Sequence, residues 1–320
     1  MARGTSQQVK DLSPDVITRN DENPRMIFRA EELESLLSSI SLYGIQVPIT
    51  VYQEGRKFIL IDGERRWRCA RKLNLKSIPA LVQPKPSDLT NLLLMFNIHA
   101  LREQWDYLTI ANKLPRVIEL HKKERGSEPN EVELSRITGL TRGQIRRCRL
   151  LLDLPQKYRD QLLKELELPK SKQRLSEDFF IEMERAIKTV QNRLPGSIKS
   201  VNAVRDVLIE KYRGGVIDNI VDFRKLAKIA TSVRRMNVPE GDARHAVEQI
   251  ISESKAGVAE IYEARFAFLY DEERLGKQVE GILIYLDSIN QAGLVEIDDD
   301  SLREALLKLK EALDQIFGDE

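Results

Sequence analysis

The sequence predicts a small α+β domain at the N-terminus, followed by an all-α helix-turn-helix domain and a helical C-terminal region. Three observations predict it. The runs "VPITVY" and "KFILID" flank "QEGR", and "SIPALV" follows one basic helix later. Short β-branched runs around a glycine-containing connection are the mark of a hairpin. From Ser87 onward, apolar residues recur at helical spacing almost without a break. The composition, 42% apolar and 32% charged with only 6% aromatic, favours a helix-rich protein with a heavily solvated surface.

The elements follow in order. Residues 1–14 are polar and expected as a flexible arm. Residues 15–86 form the α+β domain. It opens with a helix carrying Leu33, Leu36, Leu37 and Ile40, stopped by Gly44, and closes at Pro84 and Pro86. Residues 87–168 form the helical domain, with the helix-turn-helix at 131–155. "PKSKQR", 169–174, reads as a linker into the C-terminal region, 169–320, a candidate dimerisation unit. Its last helix, 301–317, has Ser301 and Glu304 at capping-box spacing, and Leu302, Leu306, Leu309, Leu313 and Ile316 along one seam. That seam suits packing into its own domain or pairing with a second copy.

The net charge of +1 hides a segregation of charge. Residues 63–76 hold six bases (Arg65, Arg66, Arg68, Arg71, Lys72, Lys76) against Glu64 alone, and residues 136–149 hold five arginines and no acid. The last 26 residues carry nine acids against three bases. Two basic patches offset by acids elsewhere point to polyanion contact at two places. No apolar run approaches the roughly 18 residues that span a bilayer, which excludes a membrane-spanning class. "MARGTSQQVKDLSPD" has no apolar segment of a secretory signal. Two cysteines, Cys69 and Cys148, cannot build a disulfide framework and read as core residues, so the expected compartment is a reducing cytoplasm.

"NEVELSRITGLTRGQIRRCRLLLDLP" is the clearest functional signal. A first helix ends near Thr138, Gly139 supplies the turn, and Thr141 starts a second helix with Gln144 at capping-box spacing. Ile145, Cys148 and Leu152 form its apolar stripe. Arg142, Arg146 and Arg149 share a neighbouring stripe, and Gly143 and Arg147 face away from the core. A recognition helix needs this division, because one side must anchor while the other offers guanidiniums to a groove. Thr141, Arg142, Gln144, Arg146, Arg147 and Arg149 are the candidate DNA contacts. The alternative is a solvated helix hairpin with an arginine-rich face.

"LIDGERRWRCARKL", 60–73, poses a problem of sign. A helix N-terminus already carries partial positive charge, so each cation there costs roughly 0.3–1 kcal/mol. A bound anion would turn Arg65, Arg66 and Arg68 into its ligands, since a helix start after a strand and glycine is a ready phosphate site. Trp67, Cys69, Ala70 and Leu73 would pack on the sheet. The alternative is a surface helix whose arginines pair with nearby acids.

In order and spacing these pieces resemble the ParB family of chromosome- and plasmid-partition proteins. The likeness runs through "NPR" (23–25), "ELESLLSSISLYGIQVPITV", "IDGERRWRCARKL" and "SIPALV" to the helix-turn-helix and "LDLP", roughly residues 15–165. It implies a ParB/sulfiredoxin-like fold for the first domain. It further implies CTP with Mg²⁺ held in that domain, loading on double-stranded DNA through the helix-turn-helix, closure as a homodimer, slow CTP hydrolysis, and a partition ATPase as partner. The expected location is cytoplasmic, on nucleoid or plasmid. By position, Gly63, Glu64, Arg65 and Arg66 would hold the triphosphate, and Asn97 would be the asparagine of the family's second nucleotide motif. This sequence departs from that motif. Phe96 stands where the family has a metal-coordinating glutamate, Ala100 stands at the arginine position with Arg102 two residues late, and the glutamine of "GIQVP" is one place early. His99 is a candidate substitute contact.

The expected function is a DNA-binding partition or regulatory protein switched by CTP. The alternatives are a ParB-like transcriptional regulator with a vestigial nucleotide site and a ParB-like nuclease. Nuclease chemistry wants clustered carboxylates on a metal, and only Asp62 and Glu64 lie near the basic helix.

Overall fold

The computed structural model describes residues 8–23, 27–100, 106–291 and 299–318. Five strands make one mixed sheet: β1 (Gln8–Leu12), β2 (Ile17–Thr18), β3 (Ile49–Glu54), β4 (Lys57–Asp62) and β5 (Ile78–Gln83), in the order β1-β5-β3-β4-β2. β3 and β4 are the expected hairpin, closed Glu54↔Lys57, with Gly55 at φ +61 supplying the backbone that a two-residue turn needs. β1 pairs antiparallel to β5 from Gln8↔Val82 to Leu12↔Ile78. Residues 8–12 therefore belong to the sheet and not to a flexible arm. Their alternation was too short to stand out beside charged neighbours.

Helices cover both faces of this sheet. α1 (Ala30–Tyr43) and α2 (Glu64–Lys72) lie on one side, where Trp67 and Ala70 pack against Ile49, Val51, Leu60, Ile78 and Ala80. α3 (Asp88–Ala100) covers the other, with Met95, Leu94 and Ile98 against Tyr52, Ile59 and Ile61. Adjacent residues such as Leu60 and Ile61 thus serve opposite cores, as strand periodicity requires. α1 buries Ile40 fully and only half-buries Leu33, Leu36 and Leu37.

The rest is helical: α4 (Tyr107–Arg125), α5 (Glu131–Thr138), α6 (Arg142–Leu152), α7 (Gln156–Glu167), α8 (Glu177–Arg193), α9 (Val201–Arg213), α10 (Asp222–Arg235), α11 (Glu240–Ser252), α12 (Val258–Arg265), α13 (Ala267–Gln291) and α14 (Asp300–Phe317). α8 is central, its Phe179 ring lying 4.6 Å from Tyr212 and 5.3 Å from Phe223. One apolar cluster runs from α3 to Tyr270 and includes Leu166 and Leu175, on either side of the expected linker. That linker is a short exposed 3-10 turn, Lys170–Lys172, tied down at its ends. Glu165 accepts the Arg174 N–H at 2.9 Å and pairs with Arg213 at 3.1 Å, and the Gln173 amide donates to the Leu168 carbonyl at 2.9 Å. Gln173 there caps the end of α7, and Ser176, just beyond, caps α8.

Beyond Tyr270 the chain leaves this cluster. Leu275, Leu283, Ile284 and Tyr285 on α13, and Leu307, Leu313 and Phe317 on α14, are exposed. The cap of α14 is Asp299, which accepts the N–H groups of Ser301 and Leu302, and not the expected Ser301. No described helix is long and apolar enough to cross a membrane.

Candidate nucleic-acid interface and anion site

Asn130 caps α5 by accepting the Glu133 N–H at 2.9 Å, which places Glu131 in the helix's first turn. Gly139 (φ +75) reverses the chain, and Thr141 opens α6 with a reciprocal cap. Thr141 Oγ1 accepts the Gln144 N–H at 3.2 Å, and Gln144 Oε1 accepts the Thr141 N–H at 2.8 Å. The side chains of Thr141 and Gln144, expected as DNA contacts, are thus engaged in starting the helix. Ile145, Cys148 and Leu151 anchor α6, Leu151 taking the place expected of Leu152, which is only half-buried. Burial, with Glu177 nearby, pushes the Cys148 thiol up to about 12, so it is inert core.

The arginine stripe exists and is already partnered. Glu131 accepts from Arg142 Nε at 2.7 Å, from Arg146 Nη2 at 2.9 Å and Nε at 3.2 Å, and lies 3.7 Å from Arg149 Nη1. These hydrogen bonds, from Arg146 first and then Arg142, hold the Glu131 carboxyl down at about 2. The arginines stay about half exposed, at 48–59% of their side-chain surface. Arg147 departs from expectation. It pairs with Asp178 of α8 and lies over the Tyr107 ring at 5.1 Å, fastening α6 to its neighbours instead of facing a groove.

At the basic helix, Gly63 is the N-cap of α2 at φ +98, and a β-carbon there would meet Ile49 Cγ2 at 2.6 Å. The first-turn N–H groups have no intrahelical acceptor, the usual basis of an anion site. The arginines, however, have acids of their own. Arg66 donates to Asp62 at 2.8 Å and to the Val47 and Pro48 carbonyls at 2.5 and 2.7 Å. Arg65 donates to the Glu32 carbonyl at 2.9 Å and lies 3.6 Å from its carboxylate, while its Nε is buried without a partner. Arg68 pairs with Glu64 at 2.6 Å and lies 3.8 Å over the Phe28 ring. Asp62, Glu64 and Glu32 face these arginines within the fold, as in the alternative of a helix whose arginines pair with nearby acids.

Glu64 is buried, held by Asn23 at 2.5 Å and by Arg68, so its carboxylate anchors the helix and does not present to a phosphate. Asn97 is likewise committed. Its Nδ2 donates to Leu93 O at 2.9 Å and Ile137 O at 3.2 Å, tying α3 to the end of α5. No hydrogen bond joins Asn97 to Arg65 or Arg66 among the described residues. Phe96 is fully buried in the helical core. Pro24, Arg25 and Arg102 lie outside the described residues, as do the side chains of His99 and Ile316. Among the described residues no group of three or more His, Cys, Asp or Glu is placed to hold a metal.

Sequence reasoning named Asp62 and Glu64 beside the basic helix but missed Glu131, Glu32 and Asp178 as partners of the arginines. Counting acids only over residues 136–149 hid Glu131, which lies one helix before α6. A signal was available, since an acid in the first turn of the first helix lies beside the start of the second when the turn is tight.

Fold and site define a small mixed-sheet domain with an arginine-led helix, joined to a helical assembly that exposes an arginine stripe. The model of the ParB N-terminal domain matches residues 2–97, so the first domain of this chain is similar to that of ParB proteins. It is 30% identical over 165 residues to a nucleoid occlusion protein of Geobacillus sp., across 51% of this chain and 56% of that one. It is 29% identical over 161 residues to a probable chromosome-partitioning protein ParB of Helicobacter pylori, across 50% and 53%. The chain thus spans about half the length of these relatives. The crystal structure of C-terminally truncated ParB from Caulobacter crescentus complexed to the centromeric parS site is 20% identical, with a TM-score of 0.43 over 68% of this chain and 98% of that one.

Proposed function

We propose that the chain is a sequence-specific duplex-DNA-binding protein of the ParB type, acting in partition of a plasmid or chromosome or in related regulation. The observation that carries this reading is the Thr141-capped α6, with Arg142, Arg146 and Arg149 on one exposed stripe behind a ParB N-terminal domain. Guanidiniums on such a stripe suit phosphate oxygens and the N7/O6 edge of guanine. The relatives' roles in chromosome partition and nucleoid occlusion support it. The test is binding to a duplex selected from a random pool. Arg142→Ala or Arg146→Ala should weaken it about tenfold or more, and equal binding by both variants would remove the reading.

The proposal extends to a CTP switch, on narrower support. The α2 N-terminus, Gly63 and the unpartnered Arg65 Nε suit a phosphate group, with Arg65 and Arg66 as its ligands once they exchange Glu32 and Asp62 for it. Mg²⁺ would offset the triphosphate charge, and slow hydrolysis is the activity to look for. We include a homodimer in this reading, with α13 and α14 supplying apolar surface. A second reading, a regulator whose nucleotide site is vestigial, is favoured by the internal pairing of Arg65 and Arg66. Calorimetric titration with CTP, ATP, GTP and UTP, with and without Mg²⁺ and duplex, separates the two. Selective CTP binding lost in Arg66→Ala supports the switch; no binding below millimolar concentration supports the regulator.

A further inference from the structure

We infer that Glu131 is a positioning residue for base readout by α6: it holds the side edges of Arg142 and Arg146 and leaves their outer edges aimed at a groove. The inference rests on the duplex-binding reading above and assigns a role to an acid that this reading does not need.

Arginine carries five N–H donors in a fixed planar fork. Glu131 takes the side edge of Arg146, through Nε at 3.2 Å and Nη2 at 2.9 Å, and the Nε of Arg142 at 2.7 Å. The outer edge, made by the two terminal nitrogens, is left for another acceptor pair. Guanine presents such a pair, O6 and N7, in the major groove. A guanidinium can therefore read guanine while it remains on Glu131, and the carboxylate fixes the plane and direction of the fork.

Phosphate contact is different in kind. On a non-specific duplex the gain comes from neutralising backbone charge. An arginine that swings out to a phosphate gives up one anion for another and strips Glu131 of one of its partners beside a polyanion. Glu131 thus weakens the non-specific mode while remaining compatible with the specific one. Its placement is rigid, because Asn130 caps α5 and Glu131 stands in the first turn, where the helix end also favours a carboxylate. It is 19% exposed against 48–59% for the three arginines, so it is the inner partner of the cluster.

The test compares wild type, Glu131→Gln and Glu128→Gln on two probes: a random-sequence duplex and the duplex selected by the wild-type chain. Glu128 pairs with Lys122 at 3.0 Å and touches none of the three arginines, so its variant makes the same charge change elsewhere. Glu131→Gln should raise affinity for the random duplex about three- to tenfold, raise affinity for the selected duplex less or lower it, and steepen the salt dependence of random binding. Melting transitions of all three proteins lying well above the temperature of the binding assay remove unfolding as a cause. An unchanged affinity ratio between the probes, or an equal gain by Glu128→Gln, overturns the inference while the duplex reading stands. Failure of the wild-type chain to bind any duplex overturns both.

Discussion

Asn97 and Gly139 close the junction between α3 and the α5–α6 turn: Asn97 Oδ1 stands 2.8 Å from where a β-carbon on Gly139 would lie. The same amide donates to Ile137 O at 3.2 Å. A residue expected at the nucleotide therefore sits under the turn that sets the angle of α6. Gly139→Ala should cost about 1–3 kcal/mol in urea denaturation, because it adds a side chain at φ +75 against that oxygen. In an Asn97→Ala background the cost should fall, and strict additivity of the two substitutions would argue against the contact.

Asn97→Ala alone removes two hydrogen bonds and should destabilise by about 1–2 kcal/mol. Duplex affinity should drop as the α5–α6 unit loosens. CTP affinity, if calorimetry detects it, should stay within about twofold. A selective loss of nucleotide binding would return Asn97 to the nucleotide site.

Gly63→Ala places a methyl group 2.6 Å from Ile49 Cγ2 at a residue held at φ +98. Neither the central strand nor the helix start can yield without disturbing the core behind them. The expected loss is about 2–4 kcal/mol, read from denaturation midpoints.

Two carboxyls give opposite pH slopes. Burial, together with nearby Asp106 and Asp178, raises Glu177 from 4.5 to about 7, although its carboxylate accepts the Leu108 N–H at 2.6 Å. The folded chain then holds this proton more tightly than the unfolded one, so stability falls as pH rises from about 4.5 to about 7. Glu177→Gln keeps an acceptor oxygen and should remove that slope, gaining about 1–3 kcal/mol at pH 8. Glu131, held at about 2, works the other way: its contribution is complete above 4.5 and is lost as pH falls toward 2. Melts of both variants across pH 3–8 check the signs.

Lys211 is buried and donates to the carbonyls of Ile250, Glu253 and Ala256 at 2.5, 2.6 and 2.7 Å, closing the end of α11. Burial lowers its pKa. Lys211→Met fills similar space but strands three acceptors, and should destabilise by about 2–4 kcal/mol. A neutral result in urea denaturation would mean that water replaces the ammonium.

The sequence by itself determined the local elements and their chemistry. The β3–β4 hairpin, the stop at Gly44, the turn at Gly139 and the start of α6 at Thr141 rest on φ preferences, capping and periodicity within a few residues. Order and spacing of the strands and the arginine-led helix carried the likeness to the ParB N-terminal domain. Spacing of four residues already pairs Asp62 with Arg66 and Glu64 with Arg68, and tertiary structure decided the distant partners. Glu32 reaches Arg65 from another helix, Asp178 reaches Arg147 across 31 residues, and Glu131 gathers a stripe that begins 11 residues later. It also decided that residues 8–12 complete the sheet and that Asn97 serves the turn at Gly139. The reason is physical: periodicity tells which face of an element is apolar, whereas a charged side chain on the other face is satisfied by whatever the fold brings within about 3 Å.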